Sequence, residues 1–319
     1  FMNYKIYELN FSTPLHIGSG KLTDWESTIS ADILFSALCH EAVLLYGEEG
    51  VTDLVSMANS GAFRISDGFP CNDTYGYYLP KPMIDLGEKA DGDSSVKKSF
   101  KKLKYIRWEK FADFCSGSLD AKAELELLKG MGRAEIRTMA SIDEDGAATP
   151  FSVGTFRFSD SWHLYFILAY ETKDTMYFLE ELLMSLELSG IGGKRNAGLG
   201  KFELNAGKVP EDLERQLSVE GTDGIYASLS ISMAEQEILS SIVNGAKYTL
   251  VRKSGFVSSQ TYADTLLRKR DFFMFKAGSV FTKTFCGVVA DVSSKGTHPV
   301  YRYGMPIFLD RKSTRLNSS

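Results

Sequence analysis

Residues 190–201 read Gly190-Ile191-Gly192-Gly193-Lys194-Arg195-Asn196-Ala197-Gly198-Leu199-Gly200-Lys201, with five glycines and three cations in twelve positions. On its N-terminal side Met176, Leu179, Leu182, Leu183 and Leu186 recur at helical spacing. On its C-terminal side Phe202-Glu203-Leu204 alternates like a strand. The stretch is therefore a helix-to-strand connection. Glycines at this density permit positive φ and leave peptide N–H groups uncovered. Successive uncovered N–H groups form concave anion sites, and Lys194, Arg195 and Lys201 add full charge. A chain of phosphates is the ligand such a loop fits. The competing reading is a mobile turn whose cations face water.

Spacing excludes two familiar phosphate loops. A Walker loop needs glycine five residues before Gly-Lys-Ser/Thr, but Leu188 and Arg195 occupy those places, and Arg195 and Phe202 follow the lysines. A dinucleotide fingerprint of G-x-G-x-x-G form would need glycine where Arg195 stands.

Upstream of the loop, Phe151–Phe158 and Trp162–Tyr170 alternate strongly around Ser159-Asp160-Ser161, which predicts a hairpin. Near the start, Tyr4–Phe11 predicts a strand, Ser30 caps a helix from Ala31 to about Tyr46, and Phe63–Ile65 predicts a short strand. Tyr75–Pro82 is aromatic and proline-flanked, hence extended. These elements follow a β-α-β-β-α-β order of ferredoxin-like type over residues 2–207. An insertion at about 85–150 interrupts that order. It carries Lys97–Trp108, a basic run interleaved with Phe100, Tyr105 and Trp108, and is expected to project from the domain toward nucleic acid or a partner. Its Asp143–Thr149 stretch reads as a flexible tip.

Residues 208–310 form a second, strand-rich unit. Tyr226–Met233, Tyr248–Val251, Ser279–Thr284, Gly287–Val292 and Met305–Leu309 are its strand candidates, with a basic and aromatic stretch at Leu266–Phe275. Residues 311–319 have no apolar period and resemble a vector-derived, non-native tail; Phe1 before Met2 points to Met2 as the true start.

The net charge of −5 becomes −8 once Arg311, Lys312 and Arg315 of that tail are set aside. Overall charge thus opposes nucleic-acid binding, yet the basic residues gather at Lys97–Arg107, Lys194–Lys201 and Arg268–Lys276. Such local patches suit RNA, and the acidic faces suit basic protein partners. Cys39, Cys71, Cys115 and Cys286 are scattered without a C-x-x-C, which predicts reduced thiols and no zinc site. No run approaches the roughly 20 apolar residues of a membrane helix, and the chain is expected to be cytoplasmic, without cofactor or metal.

Five stretches in order carry a family resemblance: His16-Ile17-Gly18-Ser19-Gly20, Ser30–Leu38, Leu79-Pro80-Lys81-Pro82, Leu188–Arg195, and the pair Lys253-Ser254-Gly255-Phe256 with Phe275–Ser279. From about Asn3 to Asp310 the chain resembles the RAMP proteins of CRISPR systems, and among them subunit four of the type III-A Csm complex. The resemblance implies an α+β fold of two tandem ferredoxin-like (RRM-like) domains with a β-thumb inserted in the first. It also implies a non-catalytic subunit holding the 5′ repeat-derived handle of crRNA and docking the large polymerase-and-nuclease subunit and the repeating backbone subunit.

In that role Gly18 and Gly20 line a first loop, and Gly190, Gly192, Gly193, Gly198 and Gly200 a second that offers amides. Lys194, Arg195 and Lys201 pair phosphates, and Asn196 reads a base edge. His16 stacks on or hydrogen-bonds a nucleotide, and Lys253 and Phe256 extend the groove from the second domain. Two rivals stand beside this reading. One is a metal-independent endoribonuclease using His16, or using Asp24 as backbone RAMP subunits use a loop aspartate, although Trp25 and Glu26 do not continue that pattern. The other is an assembly module whose basic loops and acidic helix Thr175–Leu188 meet only protein.

Overall fold

The computed structural model describes residues 2–85, 94–142, 145–218, 221, 223–257 and 267–310. Phe1, the start of the insertion, part of its tip, Leu266 and the 311–319 tail lie outside the described residues. The first half begins with β1 (Asn3–Phe11), α1 (Ala31–Asn59), β2 (Phe63–Ile65), β3 (Phe69–Asn72) and β4 (Gly76–Pro80). The insertion supplies α2 (Ser94–Lys102), β5 (Tyr105–Arg107), α3 (Phe111–Ser116), α4 (Ala121–Lys129), β6 (Gly132–Ile142) and β7 (Ala148–Phe158). Then β8 (Trp162–Tyr170), α5 (Lys173–Ser189) and β9 (Phe202–Gly207) close the half. The second half holds α6 (Glu211–Glu214), β10 (Leu217–Ser218), β11 (Tyr226–Ser228), α7 (Leu239–Val243) and β12 (Leu250–Lys253). It ends with β13 (Phe272–Phe275), β14 (Val280–Phe281), β15 (Val288–Asp291), β16 (Tyr301–Gly304) and β17 (Phe308–Asp310).

The main sheet runs β5-β4-β3-β8-β1-β9, with β2 also on β8, and every pairing is antiparallel. Strand β8 lies at the centre and is buried on both faces. Leu164, Phe166 and Leu168 meet Leu34, Phe35 and Leu38 of α1 and Leu179, Leu182 and Leu186 of α5. Tyr165, Ile167 and Ala169 point the other way, onto Leu229, Ile307 and Leu309 of the second half. Burying each such side chain contributes on the order of 2 kcal/mol, so β8 ties the helices, the sheet and the second half into one core.

That placement overturns the expected β7–β8 hairpin. Both edges of β8 are already taken, by β1 on one side and β2 and β3 on the other, and β7 pairs along its whole length with β6. Alternation marks which side chains share a face; it does not choose the neighbour. Helix α1 breaks at Gly47, whose φ of 68 is not helical, one residue past the expected end near Tyr46. A second helical stretch, continuous with it in the chain, runs on to Asn59.

The basic run of the insertion does not project. Strand β5 extends the main sheet along β4, and Arg107 makes a two-pronged ion pair with the buried Glu124. The Tyr105 ring packs at a tilt against Phe69 and its hydroxyl hydrogen-bonds Thr28 at 3.0 Å, while Trp108 packs on Phe111. These rings are structural. The element without sheet neighbours is the β6–β7 ribbon, which reaches past residue 150 to Phe158.

In the second half β10-β17-β11-β14 form one sheet, and β12–β13 and β15–β16 form ribbons. Bridges Ser232–Phe275 and Lys247–Val280 join the first ribbon to the sheet.

The halves meet across a buried polar seam. Asp67 sits where β2 and β3 break, and its Oδ1 accepts from the N–H of Ala31, at the start of α1, and of Ile231 in the second half, both at 2.8 Å. Asp32, also buried, accepts from Arg302 at 2.6 Å and pairs with Lys253 at 3.0 Å. Burial alone would raise the Asp32 carboxyl, but Lys253 and Arg302 outweigh it and hold it below the usual range. Desolvation of Asp67 outweighs its two backbone donors and the nearby charge of Lys253, and pushes it up to about 6.

Between the unfolded value near 3.8 and about 6 the folded chain therefore holds this proton more tightly than the unfolded chain. The Asp67 contribution is fully present below that interval and is lost as pH rises through about 6. Asp67→Asn keeps an acceptor for both N–H groups and removes the buried charge. Thermal melts across pH are expected to show the variant at least as stable as the parent near pH 8, by up to roughly 3 kcal/mol, with a flatter profile between about pH 4 and 6. A variant much less stable near pH 8 would show that the negative charge itself holds the seam.

Candidate nucleic-acid interface

A cleft of about 1110 Å³ runs along the seam. Its first-half cations are Lys21, Lys81, Lys101, Lys104 and Arg195; its second-half cations are Arg252, Lys253, Arg268, Lys269, Lys276 and Arg302. Against these eleven stand three carboxyl groups, Glu26, Asp32 and Asp67. Of these, Asp32 is already paired with Lys253 and Arg302, so the cleft is strongly positive on a chain that is acidic overall.

The crowding leaves its mark on titration. Desolvation, then the charge of Lys276, lowers Lys81; desolvation, then Arg302, lowers Lys269. His40 is lowered by desolvation and then by Arg195 and Lys269. Groups that repel one another in this way are held charged at a cost, which a polyanion would relieve.

The first glycine-rich loop is laid against the base of the β6–β7 ribbon. Leu15 and Phe156 exchange backbone hydrogen bonds of 2.8 Å, and the Gly154 N–H donates to Leu22 at 2.8 Å. His16 is buried, and its Nδ1 donates to the Gly154 carbonyl at 2.6 Å, which leaves Nε2 without the proton in the neutral ring. His16, Gly18 and Gly20 all line the cleft. The backbone N–H of Lys21 and the Ser19 hydroxyl both donate to Asp24, at 2.8 and 3.3 Å, so this carboxylate closes its own turn.

The second loop differs from the expected row of bare amides. Its N–H groups are largely spent inside the protein: Gly190 on Leu186, Gly193 on His16, Gly198 on Arg195 and Gly200 on Pro14. Among the described residues, those of Gly192, Lys194, Arg195 and Asn196 have no protein acceptor. Gly190, Gly192, Gly193 and Gly200 serve close packing instead. A Cβ on Gly200 would lie 1.8 Å from the Ile191 carbonyl oxygen.

Of the loop cations, Arg195 lines the cleft and reaches the Gly190 carbonyl at 3.3 Å and the buried Glu41 at 3.8 Å. Lys201 donates to the Leu188 carbonyl at the end of α5. Lys194 sits 4.6 Å from the centre of the Phe151 ring on the ribbon. Lys194, Asn196 and Gly198 are exposed beyond the cleft lining.

From the second half, Lys253 is committed to Asp32 and Ser30, so it braces the cleft floor. Phe256 is half exposed in the cleft wall with the Arg268 guanidinium 5.5 Å from its ring centre, a flat surface on which a base can stack. Sequence reading missed Lys21, Lys81 and Arg302. Each is isolated in sequence, and only the fold brings it to the cleft.

The RAMP superfamily model matches residues 8–203, so the first half is that of a RAMP protein. The model described as CRISPR Csm4 C-terminal domain matches residues 222–310. The chain is 34% identical over 309 residues to the CRISPR system protein Csm4 of Mycobacterium tuberculosis, covering 97% of this chain and 98% of that one. It is 33% identical to the Csm4 of Streptococcus thermophilus, over 96% of this chain and 98% of that one. The chain belongs to the Csm4 family. Its fold matches a chain in a crystal structure of a Csm3-Csm4 subcomplex of the type III-A interference complex, with TM-score 0.65 and 18% identity over 96% of this chain and 98% of that chain.

The two roles of glycine in the second loop separate on substitution. Gly198, at φ 81, has open space around it, so Gly198→Ala pays only for backbone conformation, about 1–2 kcal/mol. Gly200→Ala, at φ 69, meets a backbone oxygen as well and is expected to cost more than about 3 kcal/mol or to prevent folding. Denaturant titration measures both; equal costs would contradict the close-packing role.

Proposed function

We propose that the chain is a non-catalytic RNA-binding subunit of a type III-A CRISPR interference complex, and that the seam cleft holds the single-stranded 5′ handle of crRNA. The observation that carries this reading is the concentration of eleven cations against three carboxyl groups in one cleft of an acidic chain. Single strands are gripped by such charged grooves, with flat side chains such as Phe256 taking bases. We further infer two tandem ferredoxin-like domains. In the first half the sheet order β9-β1-β8-β2 is last-first-third-second, and β17-β11-β14 with the Lys247 bridge repeats it in the second. The β6–β7 ribbon, whose base braces the first loop, is then the thumb.

Docking of the large subunit and of the backbone subunit belongs to the same proposal. A solved structure of a related chain is a Csm1-Csm4 cassette, at TM-score 0.57 and 17% identity over 96% of this chain and 97% of that one. An apolar surface on the outer side of α1 and α5 fits a protein contact. It exposes Val43, Leu44, Tyr177, Met184 and Leu188, with Leu188 at 79%.

The His16 ribonuclease reading has less support. The ring is pinned by its carbonyl bond to Gly154, and the nearby Asp24 is spent on its own turn. Labelled crRNA and target RNA are expected to stay intact with the purified chain, with or without Mg²⁺. Cleavage lost on His16→Ala would reverse this conclusion.

Binding of a handle oligonucleotide, followed by fluorescence anisotropy across salt concentrations, tests the cleft. Lys104→Ala with Lys276→Ala is expected to weaken binding and to lower the slope of log K against log[salt] by roughly 0.7 for each lost phosphate contact. An unchanged slope would remove the cleft from the site. Because His40 in the cleft lining is held below its ordinary value, binding near pH 6 is also expected to take up protons, measurable by calorimetry in buffers of different ionisation enthalpy. Absence of uptake would place the phosphates elsewhere.

A further inference from the structure

At the end of the main sheet remote from the helices, three adjacent strands present three different donor atoms. Cys71 on β3 stands directly opposite His163 on β8, and Glu8 on β1 stands opposite Tyr165, two residues along the same face. The carboxylate, thiol and imidazole donor atoms all lie within 4.8 Å of one another. Cys71 and His163 are buried, and Glu8 is partly so. The Tyr77 hydroxyl donates to Glu8 Oε1 at 2.7 Å, which fixes the carboxylate and leaves Oε2 facing His163 Nε2 at 3.7 Å. A second carboxylate, the exposed Asp73, stands 3.6 Å from that same nitrogen. Among the described residues neither Glu8 nor Asp73 has a lysine or arginine ion pair, so two carboxylates converge on one imidazole without a protein cation.

We propose that Glu8, Cys71 and His163 bind one Zn²⁺ ion, with Asp73 beside the fourth position. One sulfur, one nitrogen and one or two oxygens form a donor set that suits zinc, whereas magnesium and calcium favour oxygen alone. Tetrahedral zinc with bonds of about 2.0–2.3 Å places its donors roughly 3.3–3.8 Å apart. The Glu8 Oε2 to His163 Nε2 distance of 3.7 Å already falls in that range, and all three donor atoms lie within 4.8 Å of one another. The Tyr77 hydrogen bond orients the Glu8 ligand, as polar neighbours of metal ligands do. The ion would cross-link β1, β8 and β3, the strands that anchor the core. It runs against the sequence expectation of no metal, because residues 8, 71 and 163 carry no local spacing and only the strand register gathers them.

The test uses the full chain stripped of metal and titrated with Zn²⁺ against a chromophoric chelator, and with Co²⁺ followed by absorption. The expected result is one equivalent bound, with a thiolate-to-cobalt charge-transfer band, and a higher Tm with Zn²⁺. Cys71→Ser and His163→Gln are expected to weaken binding roughly 100-fold or more, and Cys71→Ser to abolish the band. Glu8→Gln, at a partly exposed position, serves as a further variant should the buried changes impair folding, and is expected to weaken binding while keeping the band. Failure of the parent chain to bind Zn²⁺ stoichiometrically, or Co²⁺ binding without the thiolate band, would overturn the proposal.

Discussion

Asp32 is gripped between Lys253 and Arg302, and the geometry of the molecule turns on that contact. Asp32 opens α1 in the first half, whereas its two partners lie on β12 and β16 of the second. Charges taken out of water are expensive unless each finds its partner with good geometry. The cluster is therefore satisfied in one relative placement of the two halves, and it adds to the apolar contact between β8 and the strands of the second half. Asp67 repeats the logic with backbone partners, linking the first turn of α1 to Ile231. Where the sheet breaks at Asp67 and the halves diverge, the seam opens into the cleft.

The walls of the cleft are charged in a way that the floor is not. The ion cluster at the floor is nearly self-satisfied. The lysines and arginines above it line one cleft, and two of them, Lys81 and Lys269, are held below their normal titration range. An arrangement of this kind costs folding free energy and is retained where an anion relieves it. The proposed ligand, a single strand of RNA, would meet that requirement, because the cleft carries cations from both halves. The glycine-rich turn contributes differently from its first appearance. It packs the end of α5 against the first loop, so that loop, ribbon base and Arg195 keep a fixed relation to the cleft.

Much of the first half was legible before any coordinates. Helix α5, the turn and β9 follow one another at the places their periodicity marks, because each buries one face and exposes another. The partners of β7 and β8 were not legible, because a strand buried on both faces carries no record of its neighbours, and the expected hairpin between them does not form. The aromatic residues Tyr105 and Trp108 resembled a base-stacking run and proved to be packing, since edge strand β5 is covered by α3. The positive cleft was legible in pieces: Arg268–Lys276 and Lys97–Arg107 stood out as basic runs. Lys21, Lys81 and Arg302 did not, for each is solitary in sequence and meets the others only through the fold.

The account stands or falls on where the handle lies. In the assembled ribonucleoprotein, photoreactive nucleotides placed one at a time along the 5′ handle of crRNA and followed by mass spectrometry would map it. Cross-links are expected on residues 18–26 of the first loop, on 252–256 and on 268–276, which face one another across the seam. Handle cross-links confined to the outer side of α1 and α5, or to the ribbon away from its base, would contradict the account.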